Sequence, residues 1–423
     1  MQEIIKKFKE IKMNQSWSFE GIKRKETNYI THSYHRYPAK FIPQIVARLI
    51  DKYTNTGDLV VDPFGGCGTT LVESKVMGRP SIGVDINPVA VLIAQAKITP
   101  IEPIKLEQEY ITLKNRIYGY FDGVKVNVPI HERIDYWFRP EEKRKLAFIL
   151  GKISKIDNED IRNFFLCGFS NILKNCSIWL QKSNKPTRDF KKIPSEPINT
   201  FFRQIKANIK KNQEFYSILK GKGNLKISCL VYPNDARKIP TNDNTVSLII
   251  TSPPYVTSYE YADLHQLTAL WLEYTNDLPE FRKRFIGTAY KEKKKLELDS
   301  EITNEIVSQL SEKSKKTANE VENYFGEMNQ VFKEMKRILK KEGRTCIVIG
   351  NTSLKGVEIL NAEVFAEQLL NLKFEIENII KREIPSKNLP STRDPKTGKF
   401  TKTSNKNKTF AYPVEYIIIG RKI

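Results

Sequence analysis

Residues 251–255 read Thr-Ser-Pro-Pro-Tyr directly after the apolar run Val246, Leu248, Ile249 and Ile250. A buried strand is therefore expected to end abruptly in a rigid, polar and aromatic loop. Pro253 and Pro254 remove two backbone donors and fix φ, which holds the turn in one shape and points carbonyl oxygens outward. Such carbonyls accept hydrogen bonds from an amino group. Ser252 offers a further oxygen and Tyr255 a flat stacking face, so the loop suits a planar ring bearing an exocyclic NH2, as a nucleobase does. A plain proline turn closing a core strand would need the same residues, so the decision rests on what lies upstream.

There, Leu59-Val60-Val61-Asp62 reads as a short buried strand, Pro63-Phe64-Gly65-Gly66-Cys67-Gly68-Thr69-Thr70 as a glycine loop, and 71–77 as a helix. The next strand, 81–84, ends in Asp85, and Ile86-Asn87-Pro88 opens a helix over 89–97. Glycines let the backbone approach a ligand closely, and an acid at the end of the second strand can accept hydrogen bonds from ribose hydroxyls. Dinucleotide-dependent oxidoreductases share this logic. However, Gly-Gly-Cys-Gly-Thr-Thr lacks their G-x-G-x-x-G spacing.

Taken in order, Asp62 to Thr70, Asp85, Asn234-Asp235 and Thr251 to Tyr255 resemble the motifs of the amino-group DNA methyltransferases, which use S-adenosylmethionine. Tyr37-Pro38-Ala39-Lys40-Phe41 is similar to that family's N-terminal cofactor segment. Tyr261-Ala262-Asp263 with Trp271-Leu272 resembles the helix after its catalytic loop, and Pro413-Val414-Glu415-Tyr416-Ile417 its closing strand. The resemblance implies a cofactor site made of Lys40, Asp62, Phe64, Gly65, Gly66, Gly68, Thr69, Thr70, Asp85, Asp235 and Thr251. In it, 64–70 would wrap the methionine part, Asp85 hold the ribose, Asp235 contact the adenine, and Lys40 lie near the methionine carboxylate. Asp62 and Asp235 could alternatively be solvated strand-end acids.

Ser252, Pro253, Pro254 and Tyr255 would then be the catalytic set. Hydrogen bonds from the amine to the Pro253 carbonyl and the Ser252 oxygen favour a pyramidal nitrogen aimed at the sulfonium methyl. A stacked base cannot reach them, so it must be flipped out, with Tyr255 as its wall. A carbon-5 cytosine enzyme needs a Pro-Cys nucleophile, and no cysteine here follows a proline. Within the family, Ser-Pro-Pro-Tyr is commoner in N4-cytosine enzymes, and Asp- or Asn-Pro-Pro-Tyr in N6-adenine ones. The reading is therefore cytosine N4 in double-stranded DNA, with a cognate restriction endonuclease a possible partner by family analogy. N6-adenine, RNA guanine-N2 and non-catalytic DNA-binding alternatives stay open.

The elements that must position these residues make an α/β protein: a Rossmann-like S-adenosylmethionine-dependent methyltransferase sheet with helices on both faces and a largely helical insertion. The expected division is 1–99 for the cofactor motifs, 100–225 for a helical, basic insertion and candidate target-recognition region, and 226–285 for the catalytic loop. A charged flap over 286–317, including Lys293 to Lys295, and a C-terminal part over 318–423 complete it. The apolar residues from Val321 to Leu339 recur at helical spacing, with Gly343 as the stop, and 259–274 reads as helical. Candidate DNA contacts are Lys182, Lys185, Arg188, Lys191, Lys192 and the loop between Lys387 and Lys408.

Composition agrees with a polyanionic partner. Seventy Lys plus Arg against 49 Asp plus Glu give a formal charge of +21. Five scattered cysteines and four histidines form no CxxC or zinc-like spacing, so neither a disulfide framework nor a metal is expected. No segment reaches about 18 uninterrupted apolar residues and no signal-peptide pattern opens the chain, so the expectation is a cytoplasmic protein without a membrane partner.

Overall fold

The computed structural model describes residues 1–38, 40, 42–256, 260–290, 296–384, 392–393, 401, 404–407, 409–410 and 414–423. Ala39, Phe41, Tyr259, Lys293 to Lys295, Pro413 and most of the loop from Lys387 to Lys408 lie outside the described residues.

The main sheet has seven strands: β1 (Val60–Asp62), β2 (Ser81–Val84), β3 (Cys229–Tyr232), β4 (Val246–Thr251), β5 (Leu339–Ile349), β6 (Phe374–Glu383) and β7 (Val414–Lys422). Their order is β3-β2-β1-β4-β5-β7-β6, and β7 alone runs against the rest. All six residues of β4 are buried, as a parallel strand covered on both faces requires. Alternation sorts them. Leu248 and Ile250 join Ile45, Val46, Leu49 and Ile50 of the Pro43–Tyr53 helix, whereas Ile249 faces the Lys315–Ile338 and Asn361–Asn371 helices. β1 pairs with β4 through Val60↔Leu248 and Val61↔Ile249, so the loops after both strands emerge side by side.

The expected helical texture of the insertion corresponds to helices Pro103–Tyr118, Glu132–Trp137, Pro140–Ile153, Glu159–Leu173 and Pro197–Gly221. They share an apolar cluster in which Trp137 and Trp179 stack at 4.9 Å. Trp137 Nε1 donates to Gln266 Oε1 (3.0 Å), and Ser170 Oγ meets Thr268 Oγ1 (2.7 Å), which ties the insertion to the segment after the catalytic loop. At the opposite sheet edge the N-terminal arm runs along β6. Asn14 N donates to the Lys381 carbonyl (2.8 Å), Arg382 Nε to the Trp17 carbonyl (2.8 Å), and Glu383 N to Ser18 Oγ (3.0 Å). Among the described residues no helix is long and apolar enough to cross a membrane.

Several expectations need correction. The charged stretch 286–317 is not all excursion. Glu301–Lys313 is a helix capped by Ser300, with Ile302, Ile306 and Leu310 buried against the sheet's helices. A narrow i, i+4 stripe suffices to seat it. The long helix ends at Ile338 rather than at Gly343, because Leu339 already pairs with Val246 and begins β5. Gly343 lies inside β5, where an added Cβ would stand 2.8 Å from the Lys340 carbonyl. The helical stretch after the catalytic loop divides into Tyr261–Leu264 and Gln266–Trp271, interrupted at His265.

Candidate active site

The loops at the C-terminal ends of β1 to β4 border one cleft, where an open parallel sheet places its ligands. Its lining includes Tyr37, Lys40, Asp62, Phe64, Gly65, Gly66, Cys67, Thr69, Asp85, Asp235, Ser252 and Pro254. Pieces far apart in sequence therefore meet here. Gly68, Thr70, Thr251, Pro253 and Tyr255 are not among the lining residues, and the structure gives several of them other work.

Asp62 is 2 % exposed and accepts three hydrogen bonds from three segments: Phe64 N (3.1 Å), Thr70 Oγ1 (2.7 Å) and Thr251 Oγ1 (2.8 Å). It fastens the glycine loop to the end of β4 and so sets the spacing between them. Burial pushes its carboxyl up to about 6, against the pull of those donors. Gly68 begins the Thr69–Val76 helix at φ +77°, and a Cβ there would stand 2.9 Å from Ala94 Cβ. Its glycine thus serves a left-handed turn and close helix packing.

Asp85 is half-buried at the end of β2. Its Oδ2 accepts from Gly66 N (2.9 Å) and its Oδ1 from Asn87 N (2.8 Å), and burial also carries this carboxyl to about 6. Asn87 caps the Pro88–Ile98 helix and meets His265 Nδ1 at 2.6 Å. Asp235 is gripped by the Arg237 guanidinium, at 2.9 Å to Oδ1 and 2.6 Å to Oδ2. Lys40 Nζ donates to Asn28 Oδ1 (3.1 Å) and to the His32 carbonyl (3.0 Å). Burial, with Lys97 nearby, lowers its ammonium to about 8.

In the Ser-Pro-Pro-Tyr loop after β4, Tyr324 donates its hydroxyl to the Pro254 carbonyl (2.8 Å), which pins the turn. Among the described residues, nothing donates to the Pro253 carbonyl or to Ser252 Oγ. Tyr255 is half-buried, with its hydroxyl 3.4 Å from Glu415 Oε1 on β7.

Sequence reasoning missed the far wall: Ile86, Asn87, Ala236, Arg284, Phe285 and Ile286. The Phe285-Ile286 pair inside a charged stretch was the available signal. The hairpin closed by Trp179 and Arg188, with the residues just after it, carries five of the basic residues expected to face DNA. Arg188 packs over Tyr136 (4.1 Å) and Phe190 (4.4 Å), while Lys182, Lys185 and Lys191 are exposed. Lys192 differs, because its Nζ folds back onto the Lys174 (2.7 Å) and Trp179 (2.8 Å) carbonyls.

The lining fits a nucleoside with an amino-acid tail. Asp85 brings a carboxylate to the lining, Phe64, Ile86, Ala236 and Phe285 supply apolar walls, and Lys40 brings an ammonium.

Comparison with known proteins agrees. The family model described as DNA methylase, of the N6/N4 type, matches residues 2–96 and 246–422. The Type II methyltransferase M.MvaI of Kocuria varians is 28% identical over 421 residues, covering 91% of this chain and 90% of that protein. M.BsoBI of Geobacillus stearothermophilus is 24% identical over 404 residues, covering 81% and 78%. The family model, which covers well over half of the chain, shows that the chain belongs to the N6/N4 DNA methylase family, enzymes that methylate amino groups of DNA with S-adenosylmethionine as cofactor.

Proposed function

We propose that the chain methylates the N4 amino group of cytosine in double-stranded DNA, in the cytoplasm, as the modification half of a restriction-modification system with a cognate endonuclease. One observation carries the base assignment: Ser252, a neutral hydroxyl residue, heads the catalytic loop and lines the cleft. The system-level part draws on the Type II names of the relatives.

S-adenosylmethionine supplies a methyl group on a sulfonium sulfur, an electrophile needing no further activation. The chain's part is to bind and orient. Asp85 takes the ribose hydroxyls, Asp235 and the apolar wall take the adenine, and the loop from Phe64 to Thr70 with Lys40 takes the methionine end. Ser252 Oγ and the Pro253 carbonyl accept from the target amine, concentrating its lone pair on the cleft side. Tyr324 holds the neighbouring carbonyl so that the loop does not relax. Tyr255 is the stacking wall for the flipped base by family resemblance; its ring packs against the core beside the cleft, so stacking requires the loop to turn that face toward the base, while Glu415 holds its hydroxyl end. The insertion over 100–225 reads the target, with Arg188, stacked against its aromatic neighbours, as a base-edge or phosphate contact.

The deciding experiment is incubation with methyl-labelled S-adenosylmethionine and unmethylated duplex DNA, followed by nucleoside mass spectrometry. N4-methylcytosine is the expected product. N6-methyladenine would overturn the base, and label in RNA but not in DNA would overturn the substrate.

Asp85 also gives the site a pH dependence. Its carboxylate is the form that accepts from ribose hydroxyls, and it is protonated below about 6 in the free protein. Affinity for S-adenosylhomocysteine should therefore rise with pH up to that point, and fall by about tenfold per unit below it. Calorimetric titrations at several pH values check this, and Asp85→Asn should flatten the profile.

A further inference from the structure

Lys97 has a fully buried side chain, and among the described residues its Nζ meets no oxygen or nitrogen acceptor, only the Cys67 thiol. An ammonium in that state is costly unless an anion comes to it. Its place in the fold says which anion. Lys97 lies one turn beyond Ala94 on the Pro88–Ile98 helix, and Ala94 is the residue that an added Cβ on Gly68 would strike. The same helix face therefore supports the glycine loop from beneath.

The titratable groups around Lys97 are Cys67, Cys167, His32, His35 and Lys40. None is a carboxylate. Glu73, the acid of this region, is already taken by Tyr29 (2.5 Å) and His32 (2.7 Å). Of the groups beside Lys97, Cys67 and Lys40 line the cleft. The cleft is thus polarised, with Asp62, Asp85 and Asp235 at the strand ends, Lys40 in its lining and Lys97 beside Cys67 of the glycine loop.

We propose that Lys97 is a positioning residue for the cofactor's amino-acid tail, its buried charge attracting the methionine carboxylate from behind Cys67 without lining the cleft. The proposal rests on the cofactor orientation given above. A charge close behind the wall, screened little by solvent, acts over several ångströms. It adds to Lys40, whose ammonium is partly occupied by Asn28 and His32. Burial would raise the Cys67 thiol, but the charges of Lys97 and Lys40, with hydrogen bonds from Thr69 and Lys97, together lower it.

The test compares S-adenosylmethionine with its decarboxylated analogue by calorimetry on the full chain. In Lys97→Met, affinity for S-adenosylmethionine should fall by about 10- to 100-fold, while the decarboxylated ligand changes less than about twofold. Thermal stability without ligand should not drop, since an unpaired buried charge has been removed. Equal loss for both ligands, or none for either, would overturn the proposal. Lys40→Met provides a second arm should Lys97→Met misfold. It should retain a residual preference for the carboxylate-bearing ligand, and loss of all preference would count against Lys97. A wild type indifferent to the carboxylate would overturn the orientation itself.

Discussion

Asp62→Ala is expected to abolish measurable cofactor binding and to lower folding stability by about 2 kcal/mol at neutral pH. The carboxylate accepts from Phe64 N, Thr70 Oγ1 and Thr251 Oγ1, and its loss strands donors in three segments at once. Each buried orphan costs about 1–3 kcal/mol. An opposing effect is present. The folded carboxyl is raised from 3.8 to about 6, so ionising it in place costs the native state about 3 kcal/mol above that pH. A raised acid contributes most stability below its unfolded value, and that contribution is lost as pH rises through about 6. The stability gap between wild type and Asp62→Ala should consequently be wider at pH 5 than at pH 8. Urea denaturation at both pH values measures it, and a gap that widened with pH would contradict the buried-carboxyl account.

Ser252→Ala should lower kcat by about 100-fold or more while leaving the Kd for S-adenosylhomocysteine within about twofold. Ser252 Oγ takes no donor from the protein among the described residues, so its removal orphans nothing and should leave the fold intact. What disappears is an acceptor for the target amine, whose value is greatest when nitrogen is developing positive charge. Single-turnover methylation with saturating cofactor isolates that step. Cofactor affinity falling in parallel with kcat would mean that Ser252 serves the cofactor instead of the base.

The site was legible where chemistry coincides with a change of local structure. A short apolar strand, a glycine loop and an acid closing the next strand form a local pattern, and β1, β2 and the loops after them stand where that pattern put them. Ser-Pro-Pro-Tyr following β4 was legible for the same reason. Arg284, Phe285 and Ile286 were not, because their membership of the cleft depends on a return of the chain across it that no local spacing announces. The family resemblance assigns Thr251, Thr70 and Gly68 to the cofactor. Two of them spend their hydroxyls on Asp62, and the third its missing side chain on Ala94. Lys97 looks in sequence like the solvated last turn of a helix, but segments distant in sequence, among them His32, His35, Lys40 and Cys167, close over it. The Glu301–Lys313 helix was hidden by composition, its three apolar residues diluted among charges.

The N-terminal arm has a consequence for behaviour at high concentration. β6 is the outermost strand of a seven-stranded sheet, and an uncovered strand is a template onto which another chain can add. Asn14 and Ser18 engage its Lys381 carbonyl and Glu383 amide, and Arg382 of the same strand reaches back to the Trp17 carbonyl. The arm thus occupies the Lys381–Glu383 end of that edge, where a second chain would otherwise find free backbone groups to pair with.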